Sequence, residues 1–303
     1  MNEDGKPMAK APLYMTTGFS RVNFVTDSNG WGEFTAPTDN VAAVSAELND
    51  YYRSVVFCNF DEIVDRKWEP WGQEKKLILR KVKNPVPMFA VHKYEIEMPL
   101  AGKIGYDLEL LDWEYPFGKG QHSDLIFTLK RKGTETKGEA SLKLSFSQPG
   151  DGVVPLYEYV PGGSQFRFPR MAPEKGYLPE RQWSHIWNYG DGLEERKLSE
   201  QYHEQLHKRL EESPPPVAYV FRVRTVLDKK GKVVSALYGK MDVAPPVYQS
   251  TMRGDLEWDP EFSRTTKILL TFWLNPDGTR NLEYDPKKNL FKDVDRMFWP
   301  RLP

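Results

Sequence analysis

The chain has 303 residues, with 42 basic side chains against 43 acidic ones and a formal net charge of −1. Charge this balanced offers no broad basic field to neutralise a phosphate backbone, which argues against nucleic acid as a main partner. No run of 18 apolar residues occurs, so no membrane-spanning helix is predicted, and the length predicts two domains.

Forty aromatic residues, 9 Trp, 15 Tyr and 16 Phe, favour a β-rich chain, because aromatic rings pack well on pleated, half-buried surfaces. The opening MNEDGKPMAKAPLY is polar and lacks the apolar core of a signal peptide. The expectation is a cytoplasmic protein, or the mature form of an exported one. Residues 1–72 carry the weakest pattern. SRVNFVT and RSVVFCNF read as strands set apart by the turn-rich DSNGWG and APTDN. NVAAVSAELNDYY between them reads as a short helix capped by Asn40. Cys58 is the single cysteine, so no intrachain disulfide can form. Its place inside VVFCNF predicts a buried, inert thiol and not a nucleophile.

From Lys75 onward KKLILRKV, MFAVHKYEIEM, YDLELLDWEY, DLIFTLKRKG and EASLKLSFS read as successive strands between clusters of turn formers. Tyr94, Ile96 and Met98 alternate with Glu95 and Glu97. Leu142, Leu144 and Phe146 alternate with Lys143, Ser145 and Ser147. A period of two means one buried and one solvated face, the pattern of antiparallel sheets in a sandwich. SQPGDGVVP at 147–155 concentrates Pro, Gly and Asp. It therefore marks a boundary between an N-terminal domain, 1–150, and a C-terminal domain, 151–303.

Beyond it LYEYV, SQFRF and a Pro- and Trp-bearing stretch precede one exposed helix at about 193–212, stopped by Pro214-Pro215-Pro216. AYVFRVRTVLD and VVSALYGKM form a hairpin through KKGK. TKILLTFWLNP and NLEY form another through DGTR, and the apolar tail with Phe291, Met297, Phe298 and Trp299 is expected to dock. In the FRVRT strand, Phe221, Val223 and Thr225 alternate with Arg222 and Arg224, which predicts a basic outer face. The expected fold is thus mainly β: two antiparallel β-sandwich-like domains with one exposed α-helix.

One string could name a chemistry. His203-Glu204-Gln205-Leu206-His207 fits H-E-x-x-H, in which two histidines on one helix face hold zinc and the glutamate acts as general base on a metal-bound water. The surroundings oppose it. Lys208 follows the second histidine, the helix is charged nearly all round, and Leu210 and Ser213 stand where the longer motif places glycine and histidine. A solvated helix packing a stripe of Leu198, Tyr202, Leu206 and Leu210 is the simpler reading. Zinc is therefore the alternative cofactor, and no cofactor is the expectation. Asp255, Asp259, Asp277 and Asp285 lie in turns without the spacing of a calcium loop, although oxygen-rich turns leave calcium open. Carboxylate pairs for a glycosidase, such as Glu109 with Asp112 or Asp255 with Glu257, depend on a separation that only a structure gives. Trp183 and Trp187 in QWSHIWNYGDG, like Trp68 and Trp71, could stack on sugar rings, with core burial the favoured use of such rings.

The segments FRVRTVLDKKGKVVSALYGKM, GDLEW and RNLEYDPKKNLF, together with MAPEKGYLPE, resemble the C-terminal part of a family of uncharacterised exported bacterial proteins. The resemblance spans roughly residues 165–291. It implies an extracytoplasmic setting (periplasm, cell surface or secreted) and brings no activity, ligand or catalytic residue. The functional expectation is a non-enzymatic extracytoplasmic binding or structural protein directed at carbohydrate or another protein. The alternative is a zinc-dependent hydrolase using His203, Glu204 and His207. Oligomeric state is not legible.

Overall fold

The computed structural model describes residues 1–99, 102–133, 137–188, 216–242 and 265–303. The described chain is mainly β, built from sheets that are antiparallel except at one edge pairing, with one short 3-10 turn at Arg296–Phe298. The expected helix at 193–212 lies outside the described residues. No helix among the described residues is long and apolar enough to cross a membrane.

Two compact units form. The first comprises residues 1–85, 159–169 and 302–303. Its strands β1 (Pro12–Thr16), β2 (Arg21–Val25), β3 (Val41–Ala46) and β4 (Ser54–Asn59) make a four-stranded sheet in the order β2-β1-β3-β4. A small hairpin joins β5 (Glu62–Val64) to β6 (Lys67–Glu69). The predicted helix at NVAAVSAELNDYY is β3 instead. Ala42, Val44 and Ala46 are buried between β1 and β4, where small side chains let a central strand pack, so tertiary packing overrides helix propensity. The predicted strand KKLILRKV is likewise absent. That stretch makes only isolated bridges, Leu79 to Asn2 and Lys81 to Tyr51, and Leu77 and Leu79 plug the apolar face of the sheet. Arg80, 4% exposed, donates from Nη1 to the carbonyls of Phe166 and Phe168 and lies over the Phe166 ring. This ties 159–169 to the first unit.

The second unit, residues 86–158 and 170–301, is a β-sandwich. One sheet orders β13 (Glu180–Asn188), β11 (Lys137–Ser145), β10 (Leu125–Gly133), β8 (Lys103–Asp107) and β9 (Asp112–Trp113). The other orders β12 (Gly152–Leu156), β14 (Ala218–Leu227), β15 (Val233–Asp242), β16 (Thr265–Asn275), β7 (Val86–Pro99) and β17 (Tyr284–Asn289). Their inner faces share one core: Ile104, Tyr106, Leu125, Phe127, Leu142, Leu144 and Trp183 meet Ile96, Met98, Phe221, Val223, Leu270 and Phe272. The alternations expected at 94–98 and 142–147 are present, with Ile96, Met98, Leu142 and Leu144 buried and Glu95 and Glu97 exposed. The tail docks through Phe291, whose ring lies 5.1 Å from that of Phe89.

Three expectations are corrected here. The division between units falls after residue 85, not near residue 150, because β12 pairs with β14 inside the sandwich. NLEY does not fold back on β16. β17 begins at Tyr284 and pairs parallel with β7. Arg222 is not on an outer face. It is 7% exposed, donates to the Gly150 carbonyl and lies 4.2 Å from the centre of the Tyr177 ring, because residues 170–178 help cover that side of the sheet.

Candidate functional site

The solvent side of the five-stranded sheet is set by the register. Lys103 on β8 stands opposite Thr128 on β10, Thr128 opposite Lys143 on β11, and Lys143 opposite Gln182 on β13. A second row runs from Lys130 through Ser141 to Ser184. Strand alternation makes this face polar: Leu125, Phe127, Leu142 and Leu144 point into the core, so Thr128, Lys130, Ser141, Lys143 and Ser145 point out. These side chains, with Lys103, Glu180 and Gln182, line a concavity of about 350 Å³.

Within it Lys143 Nζ lies 2.9 Å from the Glu180 carboxylate, and Gln182 Nε2 donates to Ser141 Oγ at 2.8 Å. Among the described residues no carboxylate pairs with Lys103 or Lys130. The lining therefore carries three ammonium groups against one carboxylate. Lys103 and Lys143 flank Thr128 two strand spacings apart, about 10 Å. Lys130 is the diagonal neighbour of both, roughly 7–8 Å away. The register thus gathers three lysines on one exposed patch, one of them paired with Glu180.

One end of the face is bounded by a built loop. A side chain at Gly105 would collide with Glu114 and Ser123, so residues 114–123 lie directly over β8 at that point. The loop exposes Tyr115 at 89% and Phe117 at 49%. It is nonetheless well held. Asp107, 1% exposed, accepts the amides of Glu109, Leu110, Gln121 and His122, and Asp112 accepts the Lys119 amide. Arg224 closes the base: its guanidinium is 2.8 Å from Asp124 and from Glu109 and 3.5 Å from Asp107. Burial pushes the Asp124 carboxyl above the usual carboxylate range, against the pull of Arg224. Burial also opposes the charge on Arg224, but Asp124 and Glu109 outweigh it and hold the guanidinium protonated. Arg224 adopts a left-handed φ of 54° beside a bulge in the β14–β15 pairing, and that bend aims its side chain at the loop.

The residues singled out from sequence fare differently. Trp183 is withdrawn from solvent at 7% exposure and meets Tyr219 edge-on with centroids 6.1 Å apart, so it is a core residue and not a stacking platform. Trp187 is in β13 opposite Gly138, and its side chain lies outside what the structure describes. His203, Glu204 and His207 fall outside the described residues, as do Asp255, Glu257 and Asp259. Trp68 donates its indole N–H to the Thr38 carbonyl at 2.7 Å, and Trp71 is half exposed with Lys67 over its ring. Glu109 and Asp112 serve the loop, through Arg224 and backbone amides. Asp277 and Asp285 accept the amides of Thr279 and Lys287, as turn residues do. Cys58 is half-buried in β4, and burial pushes its thiol pKa up.

Sequence reading missed the lysine face because it depends on strand order. Thr128-x-Lys130 and Ser141-x-Lys143 read only as solvated positions until β8 and β13 bring Lys103 and Gln182 alongside. Comparison with known proteins found no matching family model, no matching curated protein and no matching solved structure.

Proposed function

We propose that this chain is a non-enzymatic binding protein whose ligand is carbohydrate, held on the solvent face of the five-stranded sheet. The observation that carries the reading is the Lys103–Thr128–Lys143–Gln182 row, set in a concave face. Hydroxyl, amide and ammonium groups at strand spacing supply the alternating donors and acceptors that sugar hydroxyls need. The loop at one end adds exposed Tyr115 and Phe117, rings able to cover an apolar sugar face. Because Asp107 and Arg224 hold that loop, little ordering entropy is lost on binding. An extracytoplasmic bacterial setting belongs to the proposal. Its support is the likeness of the C-terminal segment to exported proteins.

The test is titration of the full chain against a panel of soluble polysaccharides, repeated on Gln182→Ala with Ser141→Ala. These side chains are at the surface, so Tm should hold while affinity falls at least about tenfold, the loss of two hydrogen bonds near 1 kcal/mol each. Unchanged affinity in the double variant would remove the site. A panel with no binder would remove the reading.

A further inference from the structure

The same face carries a charge statement that goes beyond sugar binding in general. We infer that its ligand is an acidic polysaccharide, whose carboxylate or sulfate groups seat among Lys103, Lys130 and Lys143. The inference rests on the carbohydrate reading above and narrows it to one chemical class.

Three features point this way. First, the lining has two ammonium groups more than its single carboxylate neutralises, whereas the whole chain is balanced at a net charge of −1. The lining is thus more positive than the chain as a whole. Second, the three lysines surround the Thr128 hydroxyl: Lys103 and Lys143 sit directly across from it on either side, and Lys130 is two residues along the same strand. An anion placed over Thr128 would have Lys103 and Lys130, unpaired among the described residues, and the Glu180-paired Lys143 within about one Debye length, roughly 8 Å at physiological salt. Lysine suits this task because its ammonium group is a mobile point charge that accepts a carboxylate or a sulfate alike.

Third, the rest of the lining fits a sugar and not a base. Thr128, Ser141, Ser145 and Gln182 interleave the lysines, and none of the lining residues is aromatic, the exposed Tyr115 and Phe117 rings being confined to the loop at one end. A single-stranded nucleic acid would need stacking platforms along its track. A neutral glycan would draw nothing from the excess charge. A chain of acidic sugars uses both sets of groups, its anions on the lysines and its hydroxyls on the side chains between them.

The experiment pairs each acidic polymer with its neutral counterpart: polygalacturonate with its carboxyl-reduced form, and a sulfated galactan with its desulfated form. Affinity of the full chain is measured at low and at physiological salt, alongside single-stranded DNA of matched charge. The expected result is tighter binding of at least one acidic polymer than of its partner, weakening with salt. Lys103→Gln, Lys130→Gln and Lys143→Gln should each weaken it about two- to fivefold without lowering Tm, and Lys130→Glu should weaken it more. The arm that responds identifies the anion.

Equal binding of acidic and neutral partners would overturn the inference and leave the carbohydrate reading standing. So would acidic binding that the three glutamine variants leave unchanged. DNA binding as tight as the acidic polymer would also overturn it, by showing a general cation surface. No binding to any polysaccharide would defeat both.

Discussion

Replacing Arg224 with alanine tests whether the acidic cluster beneath the loop is held by that one cation. Asp107 and Asp124 are each 1% exposed at the side chain, and Arg224 is 23% exposed, so little water reaches the contacts. Removing one member of a buried charge group strands the others, typically at a cost of about 3–5 kcal/mol. Asp107 keeps four backbone amide donors and so loses less. Among the described residues Asp124 keeps only the Leu108 amide as its other partner, and it bears most of the penalty. In a unit of this size 1 kcal/mol moves Tm by roughly 2–4 °C, which predicts a fall of about 10 °C at pH 7.

Two controls separate charge from backbone. Arg224→Gly should fare better than alanine by about 1 kcal/mol, since the left-handed φ strains any residue with a Cβ. The pH dependence should follow from Asp124. Its folded pKa is already raised by burial, so the folded state binds more protons than the unfolded one above the ordinary carboxylate pKa, and stability from this group falls as pH rises. Loss of Arg224 raises that pKa further. The variant's deficit should therefore be largest at neutral pH and shrink as pH falls toward 4. Thermal melts followed by circular dichroism supply the measurement. A deficit under 2 °C, or one equally large at pH 4.5 and pH 7, would refute the reasoning.

Two further outcomes follow from single side chains. Burial raises the Cys58 thiol above its ordinary value of 9.0, so at pH 8 its thiolate fraction should be below about one tenth; a maleimide or disulfide reagent should react more slowly with folded than with denatured chain, and an alkylation midpoint below pH 8.5 would contradict this. Trp183→Ala should cost about 3–5 kcal/mol in a denaturant melt, the range for deleting a buried aromatic ring, and an unchanged midpoint would put that ring back on the surface.

What was legible in the sequence was the period of two. Ile96, Met98, Leu142 and Leu144 lie in the core because alternation in a strand leaves them no other place. The hairpin at KKGK was equally legible, since a turn cluster between two apolar runs constrains both: β14 pairs with β15, and the Asp228 amide bonds to the Lys232 carbonyl. What failed depended on covering layers and strand order. Arg222 alternates as a solvated residue should, yet a second layer of chain covers it. Val41–Ala46 carries alanines that favour a helix in isolation, and only its central place in a sheet makes them strand residues. The site was the least legible part, because each of its rows adds to the β10–β11 hairpin a strand from further along the chain.

The pairing of β7 has a consequence for how the protein is made. Both neighbours of this 14-residue strand, β16 and β17, lie far downstream: the bond from the Lys93 amide to Thr271 spans 178 residues. At about 5–20 residues per second, a ribosome leaves the two edges of β7 open for roughly 10–40 s after the strand emerges. Throughout that interval the nascent chain offers Met88, Ala90, Val91, Ile96 and Met98, all destined for the interior, along an unpaired edge. The order of the strands along the chain thus leaves β7 without its sheet neighbours until residue 289 has been made.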